Sequence, residues 1–400
     1  MSKPVNREGR WRRLLQVGAI TFAVGSALVR ALLPPFSYGK DTLIDHMTAR
    51  ALRDGLPPFT PLRQLQLAYF PQAQPAYPYA NFHPPTVWLL NWPLTFLPFE
   101  VSSLVWLGLS VWALAWVGRR LGLSWRAALV LSLWPPALFH LWLAQYEILI
   151  LLLIVLAWQY AARSRDWRAG LLIGAAGTLK FYPALLLLPY LIRGRWRVVA
   201  GGTTALAVGG LASLLVIGLD GAYHYVSGLT GVETRVILQD WGNSSPYVAV
   251  QRLLGGTPLT PVLDAPQAIL PLTLLLVAVG LVALCWLPPA AGPVALLVLL
   301  PNSMWYCAVL ALPQLVETLR QQRLRVPAIV AAILISLPYP LPAALLGSPE
   351  ASRILPVWAS QILYSSQAAG YLLLLGLSAW AYRQTPVPDG LPDVVSVSDG

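Results

Sequence analysis

The sequence predicts an all-α integral membrane protein, a polytopic bundle of about 12 transmembrane segments with a long first external loop. Three observations carry that reading. The 400 residues are 57% hydrophobic and 11% charged, where soluble domains run at about 45–50% and about 25%. Apolar runs of bilayer-crossing length, roughly 17–25 residues, recur along the chain. Of the 27 Lys and Arg, 18 fall in six short clusters beside those runs, the distribution that the positive-inside rule gives to cytoplasmic turns. The clusters are Lys3–Arg13, Arg119–Arg126, Arg163–Arg168, Arg193–Arg197, Arg320–Arg325 and Arg383. A net charge of +11 spread in this way points to membrane topology and away from nucleic acid.

Taking those clusters as cytoplasmic orders the crossings. Leu14–Leu33 lacks a small-residue cleavage site and is long enough to remain as an anchor. It runs outward and leaves a polar loop, 34–85, outside. The stretch Thr86–Val117 returns; it is broken at Pro93 and Pro98, so its first part is expected at the interface. Ala127–His140 and Ile148–Tyr160 form the next pair. Gly170–Thr178 and Tyr182–Ile192 are too short for ordinary spans and read as a broken hairpin with Lys180 at its external tip. Val198–Leu219 leads to a second external loop, 220–266, and Ile269–Leu287 returns. Val294–Leu300 and Ala308–Leu315 make another short hairpin, interrupted at Pro301-Asn302-Ser303. Val326–Leu346 and Ile362–Tyr382 complete a membrane domain over 1–383, with both termini inside. The tail 384–400 is rich in Pro, Ser and Asp, has little to bury and is expected to be disordered.

Half-helices broken at polar residues are tolerated only where the freed backbone meets protein or a water-filled cavity. Both breaks and both loops fall on the external side, where the site is therefore expected. Asp41 opens the first loop. It is either a general base for an acceptor hydroxyl or an N-cap for the helical stretch Thr42–Arg53. Asp45 lies one turn on, on the same helix face, and Asp54-Gly55 reads as that helix's stop. Asn81 and His83 in Asn81-Phe82-His83-Pro84-Pro85 either donate to a phosphate or belong to an interfacial turn whose prolines start the next helix. Lys180 either binds phosphate or snorkels to the headgroups.

In the second loop, Asp240 to Ser245 and Arg252 could bind phosphate or sugar, with Trp241 stacking on a sugar face; a solvated loop with an interfacial tryptophan is the alternative. Gln145-Tyr146-Glu147 lines the cavity or caps it. Cys285 and Cys307 match no metal or disulfide spacing and read as core. No Walker A loop, HExxH, Gly-x-Ser-x-Gly or Cys/His ligand pattern is present, and there is no Asp-x-Asp pair of the kind that holds a metal–nucleotide. A donor needing neither nucleotide nor metal fits best.

In their order, these motifs resemble glycosyltransferase family 87, the polyprenyl-phosphate-mannose-dependent mannosyltransferases. The resemblance rests on Asp41 with Gly55 fourteen residues later, His83-Pro84-Pro85, Ala144-Gln145-Tyr146-Glu147 in place of Gly-Gln-x-Asn, Ala169-Gly170 with Lys180 to Pro183, Asn243-Ser244-Ser245 with Arg252, and Pro301 to Tyr306. It covers roughly Leu14 to Leu315. The chain departs from the pattern at Asp45, where Tyr is common, at Glu147, where Asn is common, and at Asn302 and Cys307, near a usual His or Asp.

The resemblance implies a GT-C fold and an inverting transfer of a sugar, mannose by analogy, to a hydroxyl of a glycolipid or cell-envelope glycan. Asp41 would take the hydroxyl proton. Lys180, His83 and Arg252, with Asn243, would bind the departing phosphate, and no metal is implied. Asp45, Asn81, Gln145, Glu147, Trp241, Asn302 and Tyr306 are further candidate contacts. The implied partners are a polyprenyl-phosphate sugar, a lipid or glycan acceptor and membrane lipid. The implied place is a bacterial inner membrane, with the site on its external face. A lipid-linked saccharide flippase is the main rival, but such proteins often show inverted repeats, and no convincing repeat relates the two halves. A non-catalytic scaffold would need no Asp41.

Overall fold

The computed structural model describes residues 40–71, 80–81, 83–231, 242–255, 262–337 and 356–384. The expected anchor Leu14–Leu33, Trp241 and the tail beyond Gln384 lie outside the described residues. Within them the chain is helical, with one isolated antiparallel bridge between Asn243 and Met304. In order the helices are α1 (Lys40–Arg53), α2 (Leu62–Tyr69), α3 (Pro85–Asn91), α4 (Phe99–Arg120), α5 (Trp125–Val130), α6 (Pro135–Leu143), α7 (Glu147–Ala162) and α8 (Asp166–Leu179). They continue with α9 (Leu188–Ile192), α10 (Trp196–Gly231), α11 (Pro246–Leu254), α12 (Ile269–Trp286), α13 (Gly292–Leu299), α14 (Leu312–Arg320), α15 (Arg325–Ser336) and α16 (Val357–Gln384).

Among the described residues four helices are long and apolar enough to cross a membrane: α4, α10, the stretch Pro266–Trp286 that contains α12, and α16. The pair α5–α6, bent by 72° at Trp134, makes a fifth if it is counted as one broken span. The expectation of about 12 crossings is therefore not reached by length and composition among the described residues. Shorter apolar helices at Glu147–Ala162, Tyr182–Ile192, Pro289–Leu299 and Arg325–Ser336 supply the remaining apolar segments. α4 shows how a full span is specified. It follows Pro98, runs 22 residues and ends on Arg119 and Arg120; at 1.5 Å per residue it is about 33 Å long, and its terminal cations suit the negative end of the helix dipole.

Two expected features take a different form. The described part of 34–85 is more than a loop with one helical stretch, since α1 and α2 pack through Leu43, Ile44, Met47, Leu62 and Leu65 into a small core of their own with Phe70 and Phe99. The second expected loop begins later than Asp220. Gly218 alone takes non-helical angles (φ 70°, ψ 178°) and the helix resumes beyond it to Gly231; a single glycine absorbs the kink at little steric cost.

The breaks at Lys180 and at Pro301–Ser303 are present as expected, and both half-helix joints are tightened into 3-10 turns, Tyr182–Leu187 and Trp305–Ala311. α8 is held against α10 by small residues. A Cβ on Gly170 would stand 2.0 Å from the Val198 carbonyl oxygen, and one on Gly174 would stand 2.3 Å from that of Gly202. Gly-x-x-x-Gly spacing lets two backbones touch in this way. That contact fixes the line of α8, and so the point at which its last residue delivers Lys180.

Candidate active site

The site assembles where four segments meet: the first turn of α1, the segment before α3, the α6–α7 turn and the end of α8. Asp41 lies within the first turn of α1 rather than ahead of it, a position that the helix dipole favours for a carboxylate. Thr42 Oγ1 donates to the Ala144 carbonyl oxygen at 2.7 Å, tying α1 to the α6–α7 turn. Ala144 closes α6 in the left-handed region (φ 55°, ψ 48°), a conformation that glycine adopts far more readily. That reversal presents Gln145, Tyr146 and Glu147 in succession to the interior.

The two aspartates of α1 have opposite environments. Asp45 is 0% exposed and its carboxylate is saturated. It accepts from Asn81 Nδ2 at 2.8 Å, from His83 Nδ1 at 2.9 and 3.0 Å, and from the Tyr146 hydroxyl at 2.7 Å. Asn81 Oδ1 in turn accepts the His83 backbone N–H at 2.9 Å, and Asn91 Nδ2 donates to the Tyr146 oxygen at 2.8 Å. Asp41 is half-buried, and one of its oxygens, Oδ2, accepts from Gln145 Nε2. Its other oxygen carries no hydrogen bond from the described residues, so of the two carboxylates only Asp41 has lone pairs to offer a substrate.

Charge and burial tune this pair of groups. Burial raises the Asp41 carboxyl above its ordinary value; nearby His83, the Gln145 hydrogen bond and Lys180 hold the rise in check. For His83, burial pulls the imidazolium down, and the Asp45 carboxylate more than offsets it, leaving the group raised above 6.5. Asp45 thus favours the protonated form of His83 beside Asp41.

Lys180 reaches the same place from α8. Its backbone is extended as it caps that helix (φ −148°, ψ 138°). The ammonium donates to Gln145 Oε1 at 3.1 Å, pairs with Glu147 Oε1 and lies 5.0 Å from the centre of the Tyr306 ring. Glu147 is 0% exposed and also accepts from the Cys307 thiol at 3.6 Å. His140 Nε2 stands 3.5 Å from Glu147 Oε2. Because that nitrogen accepts the Ile148 backbone N–H at 3.2 Å, its lone pair is occupied and the contact with Glu147 is not an ion pair. The cation expected at the tip of the hairpin is therefore matched by a buried carboxylate.

The model of glycosyltransferase family 87 matches residues 81–313, more than half of the chain. The chain belongs to glycosyltransferase family 87. It is 27% identical over 175 residues to the polyprenol-phosphate-mannose-dependent alpha-(1-2)-phosphatidylinositol pentamannoside mannosyltransferase of Mycolicibacterium smegmatis. That match covers 40% of this chain and 41% of the relative, so the chain spans about two fifths of the length of the curated relative it matches. No solved structure matches the chain.

The family-87 stretch opens at Asn81 and takes in His83, Gln145, Glu147, Lys180, Asn243, Arg252, Asn302 and Tyr306; α1 with its two aspartates precedes it. The structure joins Asp41, Asp45, Asn81, His83, Gln145, Glu147, Lys180 and Tyr306 in one network, and places the others elsewhere. Asn243 is fully buried and its amide is engaged with backbone. Nδ2 donates to the Pro301 carbonyl at 3.1 Å, while Oδ1 accepts the N–H groups of Ser245 and Ser303, each at 3.1 Å. With Ser245 Oγ on the same carbonyl at 3.0 Å, this latch fixes the interrupted hairpin that leads into Tyr306. Arg252, on α11, is 1% exposed and its charge faces Tyr364 of α16, whose ring stacks on Trp305 at 5.7 Å. Asn302 is exposed at the break.

Tyr146, expected with its neighbours to line or cap the cavity, joins the network through its hydroxyl. Asn91 is not among the expected residues, although it leaves a signal, an amide among the apolar residues of α3.

Proposed function

We propose that this chain transfers a sugar, mannose by its likeness to the mycobacterial relative, from a polyprenyl-phosphate donor to a hydroxyl of a glycolipid or cell-envelope glycan. The observation that carries the reading is the contrast between the aspartates. Asp45 is spent on Asn81, His83 and Tyr146, whereas Asp41 keeps one oxygen open a single amide away from Lys180.

In the proposed reaction the acceptor hydroxyl oxygen attacks the anomeric carbon and its proton passes to Asp41. The bond from that carbon to the phosphate oxygen breaks, and polyprenyl phosphate leaves with the bonding electrons. The charge growing on the phosphate is met by fixed donors, Lys180 and the His83 imidazolium. Asn243 and Arg252 act in this reading as supports of the Pro301–Tyr306 hairpin and of α16. The positive-inside pattern and the convergence of breaks and loops favour the external leaflet for the site.

Asp41→Asn tests the assignment. The purified variant, incubated with radiolabelled polyprenyl-phosphate mannose and native membrane extract, is expected to bind donor normally and form no labelled glycoside. Labelled product at the wild-type rate would refute Asp41 as the base. Donor moved intact across a vesicle membrane, with no glycoside formed by the wild-type protein, would point instead to a flippase.

A further inference from the structure

At the far end of α8 from Lys180, about 20 Å along a 14-residue helix, lies a second polar site. Two chain reversals stand side by side there. One turns α7 into α8 through Ser164 (φ 56°) and the other turns α9 into α10 through Gly194 (φ 69°). Arg195 locks them together, donating from Nε to Asp166 at 3.3 Å and from a terminal nitrogen to the Ala161 carbonyl at 2.8 Å. Arg193 is likewise engaged, donating to the Cys285 carbonyl at 2.8 Å. Between the turns opens a cavity of about 430 Å³ lined by Ser164, Arg165, Asp166, Trp167, Arg168 and Arg197, within the size range of small-ligand sites, about 300–1,000 Å³.

The charges in this cavity do not balance internally. Its one carboxylate, Asp166, is taken by Arg195. Arg165, Arg168 and Arg197 make no side-chain hydrogen bond or ion pair with the described residues, and all three are exposed. Three guanidinium forks converging on one groove suit an oxyanion with several acceptor oxygens. The rim says what carries that anion. Trp167 is 46% and Trp196 64% exposed, and Ile192 beside them is 55% exposed. α10, a span-length apolar helix, starts at Trp196. Exposed tryptophans at the start of a spanning helix mark headgroup depth. A soluble phosphate would gain nothing from that apolar rim, whereas a lipid can set its phosphate on the arginines and its acyl chains along α10. Basic pockets between membrane helices hold anionic headgroups in this way.

We infer that the Arg165–Arg168–Arg197 groove is a binding site for the headgroup of an anionic phospholipid, in the leaflet opposite the Asp41 site. Native mass spectrometry of the full purified chain, incubated with dioleoyl phosphatidylglycerol or dioleoyl phosphatidylcholine, tests this. The anionic lipid should be retained in preference, by about fivefold for each arginine, and millimolar glycerol phosphate should not displace it. R165Q/R168Q/R197Q should abolish the preference, while R165K/R168K/R197K should keep most of it. If the triple Gln variant does not fold, each single Gln variant should lower the preference by about fivefold. Equal retention of the two lipids, an unchanged preference in the Gln variants, or displacement by glycerol phosphate would overturn the assignment; the last outcome would point to a soluble phosphate ligand.

Discussion

Asp45→Asn separates the two aspartates more sharply than any change at Asp41. Asp45 is fully buried and accepts from three donors, Asn81, His83 and Tyr146. An asparagine has the same shape but one acceptor oxygen, so at least one of those donors must face an NH2 group. Leaving a buried donor without a partner costs about 1–3 kcal/mol, and the remaining hydrogen bonds fall from charge-assisted to neutral strength, roughly 1 kcal/mol less each. The variant should lose about 3–5 kcal/mol, a large share of a stability that is typically about 5–15 kcal/mol.

The same change should alter the pH response. Beside Asp45 the His83 imidazolium is raised above 6.5, so its contribution to stability is complete below that pH and is lost as pH rises through the raised value. In Asp45→Asn the cause of the rise is gone, and this loss of stability above pH 6.5 should disappear. Thermal unfolding in detergent between pH 5 and 9 measures both effects. A variant within about 1 kcal/mol of wild type, with the same pH dependence, would refute Asp45 as the anchor of this network.

Three further outcomes follow from the geometry. Lys180→Ala should weaken donor binding by about 1–3 kcal/mol and destabilise the fold by stranding Glu147; adding Glu147→Gln should restore the fold but not the donor affinity, as measured by donor titration and thermal unfolding of both variants. The acid limb of the transfer rate should lie above the ordinary carboxylate value of 3.8, because burial raises Asp41 and the base works only when deprotonated; a pH–rate profile with a limb at or below 3.8 would contradict the assignment. Gln145→Leu should lower kcat by about 10- to 100-fold, the cost of a misplaced catalytic group, with a smaller change in donor affinity; equal losses in both would mean that Gln145 merely binds donor.

Much of this site was legible because polar residues are costly inside an apolar chain. Asp41, Gln145 and Lys180 stand out for that reason, and the break at Lys180 was visible from the shortness of the flanking apolar runs. Partnership was not legible. Nothing local links Glu147 to Lys180, 33 positions on, and their pairing depends on where small residues seat α8 against α10. Asn243 shows a different limit. An amide matches a backbone peptide and a phosphate oxygen about equally well, so the sequence left both uses open and the fold spends it on backbone. The helical course of 220–231 was hidden by Asp220 and Gly221, which read as the start of a loop, while the kink itself falls at Gly218. The spacing of Asp45 from Asp41 shows only a shared helix face, whereas its saturation depends on a tyrosine 101 positions away.

The proposed chemistry needs a base on one side of the reacting carbon and a cation at the leaving group on the other. One residue sets that spacing. Gln145 donates to Asp41 with its nitrogen and accepts from Lys180 with its oxygen, so base and cation are held no more than about 8 Å apart by two hydrogen bonds across a single amide. That limit is of the same order as the about 6.5–9.5 Å between the two carboxyl groups of inverting glycoside hydrolases. Glu147 does not prevent Lys180 from serving. An ammonium has three N–H donors, of which Glu147 and Gln145 take two, leaving the third for a phosphate oxygen on the side of the Tyr306 ring. The buried carboxylate then keeps Lys180 charged and fixed before donor arrives, so the donor phosphate meets a cation already in position, and little of the binding energy goes into ordering it.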